Sequence, residues 1–319
     1  LYKFRTTNFY ILNLENELQE VGFGNLDFLA KQVVEGFISG KHKSPFHGFS
    51  AEFAEHKVYN SGESTKHIDW KLYAKTDKLY TKRYDDETNL RCHFILDNSS
   101  SMHYPEVKQQ SLEDYNKIGF SALAIACLMR LLKKQRDAVG LSVYNKVYEY
   151  YAPEKGSNRH HTMLLNQLEE TVIRKEGNNS TDTYTILHQI AENLHKRSLV
   201  VLFSDMFQNT EEPEKLFEAL QHLKHNKHEV ILFHTLDYEK EVDFDFSNKP
   251  QRFIDVETGK HIDLYAENAK KNYQLLMDSL IKDLKLQCLQ YRINYVPVDI
   301  NKDLGQILIQ FLVKRQQFA

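Results

Sequence analysis

The chain is 319 residues long, with 41% hydrophobic and 27% charged residues and a formal net charge of −3. That length holds one large α/β domain, or one domain with a smaller appendage, and the composition is that of an ordinary globular protein. The slight acidic balance lacks the basic excess of nucleic-acid binders, and between Lys41 and Arg83 the basic residues are interleaved with Glu and Asp into a mixed-charge surface.

In chain order, a helix is predicted over about Leu26–Ile38, stopped by Gly40. Phe46–Tyr84 is rich in Tyr, Phe, Gly and β-formers and reads as short strands and turns. Residues 1–90 are therefore expected to be an N-terminal α+β segment, either a separate lobe or an extension packed on the main sheet. Over 91–319 the pattern changes. Cys92–Leu96 is a short apolar strand ending at Asp97, and a mostly apolar helix runs from about Tyr115 to Leu132. Val139–Tyr144 and Lys146–Tyr151 read as a strand pair about Asn145-Lys146. Helices are predicted near Arg159–Glu170 and Thr185–Lys196, and the wholly apolar strand Leu199–Phe203 stops at Ser204-Asp205. A helix near Glu212–Lys224 leads to strand Glu229–Phe233, and Gln251–Asp263 reads as a hairpin inserted near 251–264. Leu276, Leu280, Leu284 and Cys288 recur at helical spacing and predict one buried stripe. Strand Tyr291–Val298 and an amphipathic helix carrying Leu304, Leu308, Phe311 and Leu312 close the series. Short apolar strands alternating with helices indicate an α/β fold, a doubly wound and mostly parallel sheet in the order 3-2-1-4-5-6.

Cys92, Cys127 and Cys288 include no CxxC pair, and Cys92 and Cys127 fall in apolar elements, a usage that suits a reducing compartment. The sequence has no apolar run of the ~18 residues needed to cross a bilayer and no signal-peptide pattern. The chain begins at Leu1 rather than Met, and the expected location is the cytoplasm. His222, His225 and His228 recur at helical spacing, but among Lys, Asn and Gln they read as an exposed cationic face rather than a zinc site.

Chemistry concentrates at two strand ends. Asp97 and Asp205 stand at the carboxyl ends of the first and fourth strands, which are neighbours in the 3-2-1-4-5-6 order. Ser99 and Ser101 come after Asp97 at alternate positions, so a tight loop can turn both hydroxyls toward the point the carboxylates face. Two carboxylates with hydroxyl oxygens are hard ligands, suited to Mg2+ or Mn2+. Neutral Ser donors leave positive charge on such an ion, to be met by an outside carboxylate. Asp97-Asn98-Ser99-Ser100-Ser101 alone is also ordinary turn composition.

The pattern resembles the metal-ion-dependent adhesion motif of von Willebrand factor A domains, Asp-x-Ser-x-Ser with a later Thr and a later Asp. That resemblance implies a Thr from Gly177–Thr183, and its spacing favours Thr181; Asp182 and Thr183 suit the N-cap of the next helix. The N-terminal part narrows the resemblance. Gly40-Lys41-His42-Lys43-Ser44, then Ser50-Ala51-Glu52-Phe53, Lys57-Val58-Tyr59, Gly62-Glu63 and Lys66-His67-Ile68-Asp69-Trp70 resemble the prokaryotic domain of unknown function 58 family, with Lys57 and Lys66 where Arg is commoner. The match continues through Tyr80–Tyr84 into the Asp97 strand.

The resemblance implies a von Willebrand factor A-like, non-enzymatic interaction module that works beside a MoxR-type AAA+ ATPase and a client offering an acidic residue. Glu52, Tyr59, Asp69 and Trp70 are its family-motif positions. Trp70 is expected to be a buried anchor, and Asp69 a hydrogen-bonded turn residue or a partner of Lys66 or Arg83. The alternative is a Mg2+-dependent, phosphatase-like hydrolase using Asp97 and Asp205. An aspartyl phosphatase needs an acid/base carboxyl two residues after its Asp, and that position is Ser99. Gly36 and Gly40-Lys41-His42 miss the P-loop spacing and its final residue. A nuclease built on Asp69 and Lys71 lacks a second acidic cluster.

Overall fold

The protein is described from a computed structural model over residues 25–39, 53–59, 68–84, 90–107, 114–145, 148–173, 183–207, 213–225, 227–247, 249–254 and 260–316. Residues 41–89 form a unit of their own. Within it β1 (Phe53–Val58) pairs antiparallel with β2 (Tyr80–Tyr84), with α2 (Trp70–Thr76) between them in sequence. Asp69 starts this helix, its carboxylate accepting from the N–H groups of Lys71 and Leu72 at 3.0 and 3.1 Å. This is the hydrogen-bonded turn role expected of it. Trp70 departs from expectation: it is 62% exposed, and its ring meets Tyr73 edge-on. At the first position of a seven-residue helix that buries nothing, the indole has no apolar face to enter.

The other unit contains α1 (Leu26–Ser39) and everything from residue 90. Leu26, Leu29, Ala30 and Val34 bury one stripe of α1. The unit continues with β3 (Arg91–Asp97), α3 (Lys117–Lys134), β4 (Ala138–Tyr144), β5 (Tyr148–Lys155), α4 (Asn158–Ile173) and α5 (Thr183–Asn193). Next come β6 (Leu199–Ser204), α6 (Pro213–His225), β7 (Glu229–Leu236), β8 (Pro250–Ile254), β9 (His261–Tyr265), α7 (Ala266–Gln290), β10 (Asn294–Asp299) and α8 (Gly305–Gln316). The main sheet runs β10-β7-β6-β3-β4-β5, parallel throughout except for the β4–β5 hairpin. Numbered by sequence within that sheet, the order is 3-2-1-4-5-6, as the alternation of strands and helices predicts.

Burial explains the runs. β6 is buried at every position, and Ile118 to Met129 in α3 are buried all round, because α3 lies between the sheet and an outer layer that includes α1 and α8. Each such Leu, Ile or Phe contributes about 1.5–3 kcal/mol. The hairpin forecast near 251–264 is present as β8–β9. The stripe predicted on α7 is displaced: Leu276 is 72% exposed, and beyond Ala266 at its start the buried residues are Met277, Leu284 and Cys288. Met277, seven residues before Leu284, shares its face, whereas Leu276 lies a further 100° round the helix.

His160 and His161 both lie in the interior. Burial pushes His161 down to about 4, so it folds neutral. A histidine depressed in this way contributes stability that is whole above its unfolded value, near 6.5, and fades as pH falls toward 4. Between pH 7 and pH 4.5, urea denaturation should therefore show a smaller loss of stability in His161→Leu than in the unaltered chain, by about 2 kcal/mol. Equal losses would exclude His161 as the group responsible.

Candidate functional site

Parallel pairing of β3 with β6 brings Asp97 and the residues after Phe203 to the same edge of the sheet. Asp97 is fully buried there. Its Oδ1 accepts the Ser99 N–H at 2.9 Å and its Oδ2 accepts the Ser204 hydroxyl at 2.6 Å. The Ser99 and Ser101 hydroxyls are 3.1 Å apart, Ser101 lying in a short 3-10 turn, Ser100–His103. Burial, with the charge of Asp205 added, pushes the Asp97 carboxyl up to about 6. The intervening Asn98 is held in the rim: it donates to Glu149 at 2.9 Å and accepts from His103 at 2.9 Å.

Asp205 is also fully buried. The chain turns sharply after it, Met206 having a left-handed backbone with φ 54°. Asp205 Oδ1 accepts from the Phe207 N–H at 3.3 Å, and its carbonyl accepts from His234 Nε2 at 2.8 Å. His234 Nδ1 in turn accepts from the Tyr295 hydroxyl at 2.8 Å, and burial holds this imidazole neutral, down to about 4.

A cation the sequence reading did not single out completes the arrangement. Lys117 opens α3, whose first turn is capped by Asn116 accepting from Gly119 N–H at 3.0 Å. Its buried ammonium donates to Asp205 Oδ2 at 2.7 Å and to Glu241 Oε1 at 2.5 Å, with the Phe207 ring 5.0 Å away. Burial works against the charge, but the two carboxylates outweigh it and hold Lys117 above its ordinary range. Glu241 lies in a turn of π type, Tyr238–Val242, and its Oε2 accepts from the Asp237 N–H at 2.8 Å. One signal was in the sequence: Lys117 is a lone charge at the head of a helix otherwise buried to Met129.

A second buried polar chain also escaped notice. His93 Nε2 is 2.6 Å from the Ser142 hydroxyl, and its Nδ1 is 2.8 Å from Glu154. The order Ser–His–Glu is that of a nucleophile, base and orienting acid. Yet Ser142 and His93 have no exposed surface and Ser142 also meets the Tyr148 hydroxyl at 3.1 Å, so no ester carbonyl can approach. The chain serves to satisfy polar groups inside the sheet.

Of the expected site residues, Asp97, Ser99, Ser101 and Asp205 share one edge. Thr181 and Glu52 lie outside the described residues, as do Asp182 and the side chain of Thr183. Tyr59 sits just past β1, its N–H donating to the Leu79 carbonyl at 2.9 Å, and Asp69 and Trp70 belong to the separate unit. Among the described residues no group of three or more His, Cys, Asp or Glu is gathered as metal ligands. The exposed histidine face does not hold for His228, which is fully buried and accepts from the Ser198 N–H at 3.2 Å. His222 instead pairs with His188 across α5 and α6.

Residues 55–277 match the family described as "Protein of unknown function DUF58". The chain belongs to that family. It is 21% identical over 215 residues to the uncharacterized protein Rv1480 of Mycobacterium tuberculosis, and to Mb1516 of Mycobacterium bovis to the same extent. These matches cover 66% of this chain and 63% of each relative, so the chain spans less than two thirds of their length. Among solved structures, the conserved hypothetical protein BatB from Bacteroides thetaiotaomicron is 14% identical, with a TM-score of 0.43 over 72% of this chain and 100% of that one. An aerotolerance-related membrane protein from Bacteroides fragilis is also 14% identical, with a TM-score of 0.44 over 70% and 99%. The family and the strand order make the chain a von Willebrand factor A-like module, a fold consistent with a non-enzymatic interaction role. No helix among the described residues is long and apolar enough to cross a membrane.

Proposed function

We propose that the edge formed by β3 and β6 is a metal-ion-dependent adhesion site through which this chain binds a partner protein. Asp97, Ser99, Ser101 and Asp205, together with Thr181, would hold Mg2+ or Mn2+. The supporting observation is that two buried carboxylates at the ends of adjacent parallel strands stand beside a paired set of Ser hydroxyls. Every donor is a hard oxygen and the carboxylates repel one another, so the residues fit a small divalent cation. Of the described donors only Ser101 has exposed surface, 8%, so it is on the Ser101 side that a bound ion would offer a Lewis-acid position to an Asp or Glu of the partner. The protein's own groups do the rest. Ser204 and the Ser99 N–H aim the Asp97 carboxylate, His234 and the Phe207 N–H fix Asp205, and Asn98 braces the loop against Glu149 and His103.

The partner is a MoxR-type AAA+ ATPase or its client, which places the chain with that ATPase in the cytoplasm. Hydrolysis is the weaker reading, because Ser99 stands where a phosphatase keeps its acid/base carboxyl. Complex formation with a MoxR-type ATPase should require divalent metal and weaken about 30-fold or more in Asp97→Ala, a loss of ~2 kcal/mol. Undiminished binding by the folded variant in EDTA would overturn the proposal.

A further inference from the structure

Asp205 already has a cation. The Lys117 ammonium, 2.7 Å from its Oδ2, is shut away from solvent and held on its other side by Glu241 at 2.5 Å. Lys117 arises from the first turn of α3, and its side chain has no exposed surface. A divalent ion claiming Asp205 must therefore compete with an ammonium that is already bonded there. Glu241 gives that ammonium a second acceptor within reach.

We propose that Lys117 is the resident counter-ion of Asp205 and is ceded to Glu241 when a divalent ion takes the Asp205 carboxylate, coupling occupancy of the site to the Tyr238–Val242 turn. This rests on reading the Asp97–Asp205 edge as an ion site. The turn is not isolated: the Glu241 carbonyl accepts from the Tyr273 hydroxyl at 2.9 Å and the Asp243 carbonyl from Gln274 at 2.9 Å. Both donors are on α7, so a change at Glu241 is delivered to the N-terminal half of that helix. The acids Asp97, Asp205 and Glu241 against Lys117 give the cluster a formal charge of −2, sufficient for one divalent ion once the ammonium has moved aside.

The discriminating variant is Lys117→Met with Glu241→Gln. It removes one positive and one negative group, so the formal charge of the cluster is unchanged and only the competition for Asp205 is lost. Mn2+ alone is titrated into the full chain, with free Mn2+ followed by electron paramagnetic resonance and folding checked by circular dichroism. The double variant should bind Mn2+ about tenfold more tightly than the unaltered chain, and Asp97→Asn should abolish binding. Equal or weaker binding by the folded double variant, beside a binding unaltered chain, overturns the counter-ion role and leaves the ion site standing. Failure of both chains to take up Mn2+ overturns the ion site itself. Should the double variant not fold, amide hydrogen exchange of the unaltered chain decides. Saturating Mn2+ should change exchange in residues 238–242 and around Tyr273. Ion uptake with unchanged exchange there would refute the coupling.

Discussion

Lys117→Met is expected to lower the free energy of unfolding by about 3–5 kcal/mol when no divalent ion is present. The size comes from the groups left unpaired. Asp205, fully buried, and Glu241, whose side chain is 13% exposed, lose their shared ammonium to a thioether of similar length. The backbone donors that remain, Phe207 N–H at 3.3 Å and Asp237 N–H at 2.8 Å, supply one bond to each carboxylate. One hydrogen bond does not replace a buried ion pair. Adding Glu241→Gln should recover part of the loss, because an amide needs no counter-charge. Urea denaturation of the two singles and the double in EDTA gives the cycle. Losses that simply add would mean that Lys117 and Glu241 do not stabilise one another.

Gly140→Ala is expected to cost about 2–3 kcal/mol, although it adds only a methyl group. A Cβ at Gly140 would stand 2.6 Å from His93 Nδ1 and 2.8 Å from the Ala152 carbonyl oxygen. Neither neighbour can retreat cheaply. His93 is pinned between Ser142 and Glu154, and the carbonyl belongs to the backbone of β5. The ladder already has a register irregularity between Val139 and Leu141, where Gly140 lets the two strands approach. The variant should show a lower melting temperature and faster amide exchange along β5. Gly156→Ala is the control, since its added Cβ would meet nothing nearer than 3.8 Å. Matching losses in the two variants would mean that close approach is not the cause.

The fold was legible where one physical rule governed the sequence. Strands buried on both faces must be apolar throughout, so Leu199–Phe203 and Cys92–Leu96 announced themselves, and their order came from parallel winding. Helix α7 was harder: a 25-residue helix with few buried positions carries leucines on its wet side, and Leu276 and Leu284 look alike in sequence. That Asp97, Ser99, Ser101 and Asp205 come to one sheet edge could be read from the sequence because residues at the ends of adjacent strands are placed by the strand order. Lys117 and Glu241 stand 124 residues apart, and neither lies at a strand end, so only the folded chain brings them together. Asp69 was recognised through its local role, since an N-cap is set by the next three residues. Trp70 was misjudged because its surroundings are not local.

Cys92 in the central strand, Cys127 in the central helix and Cys288 on α7 are all buried. Burial raises the Cys127 and Cys288 thiols, so little thiolate forms at either. An oxidant or alkylating agent therefore meets a folded chain with no thiol on offer and reacts at the rate at which the molecule opens. The redox state of the surroundings reaches this protein through its unfolding rather than through its surface.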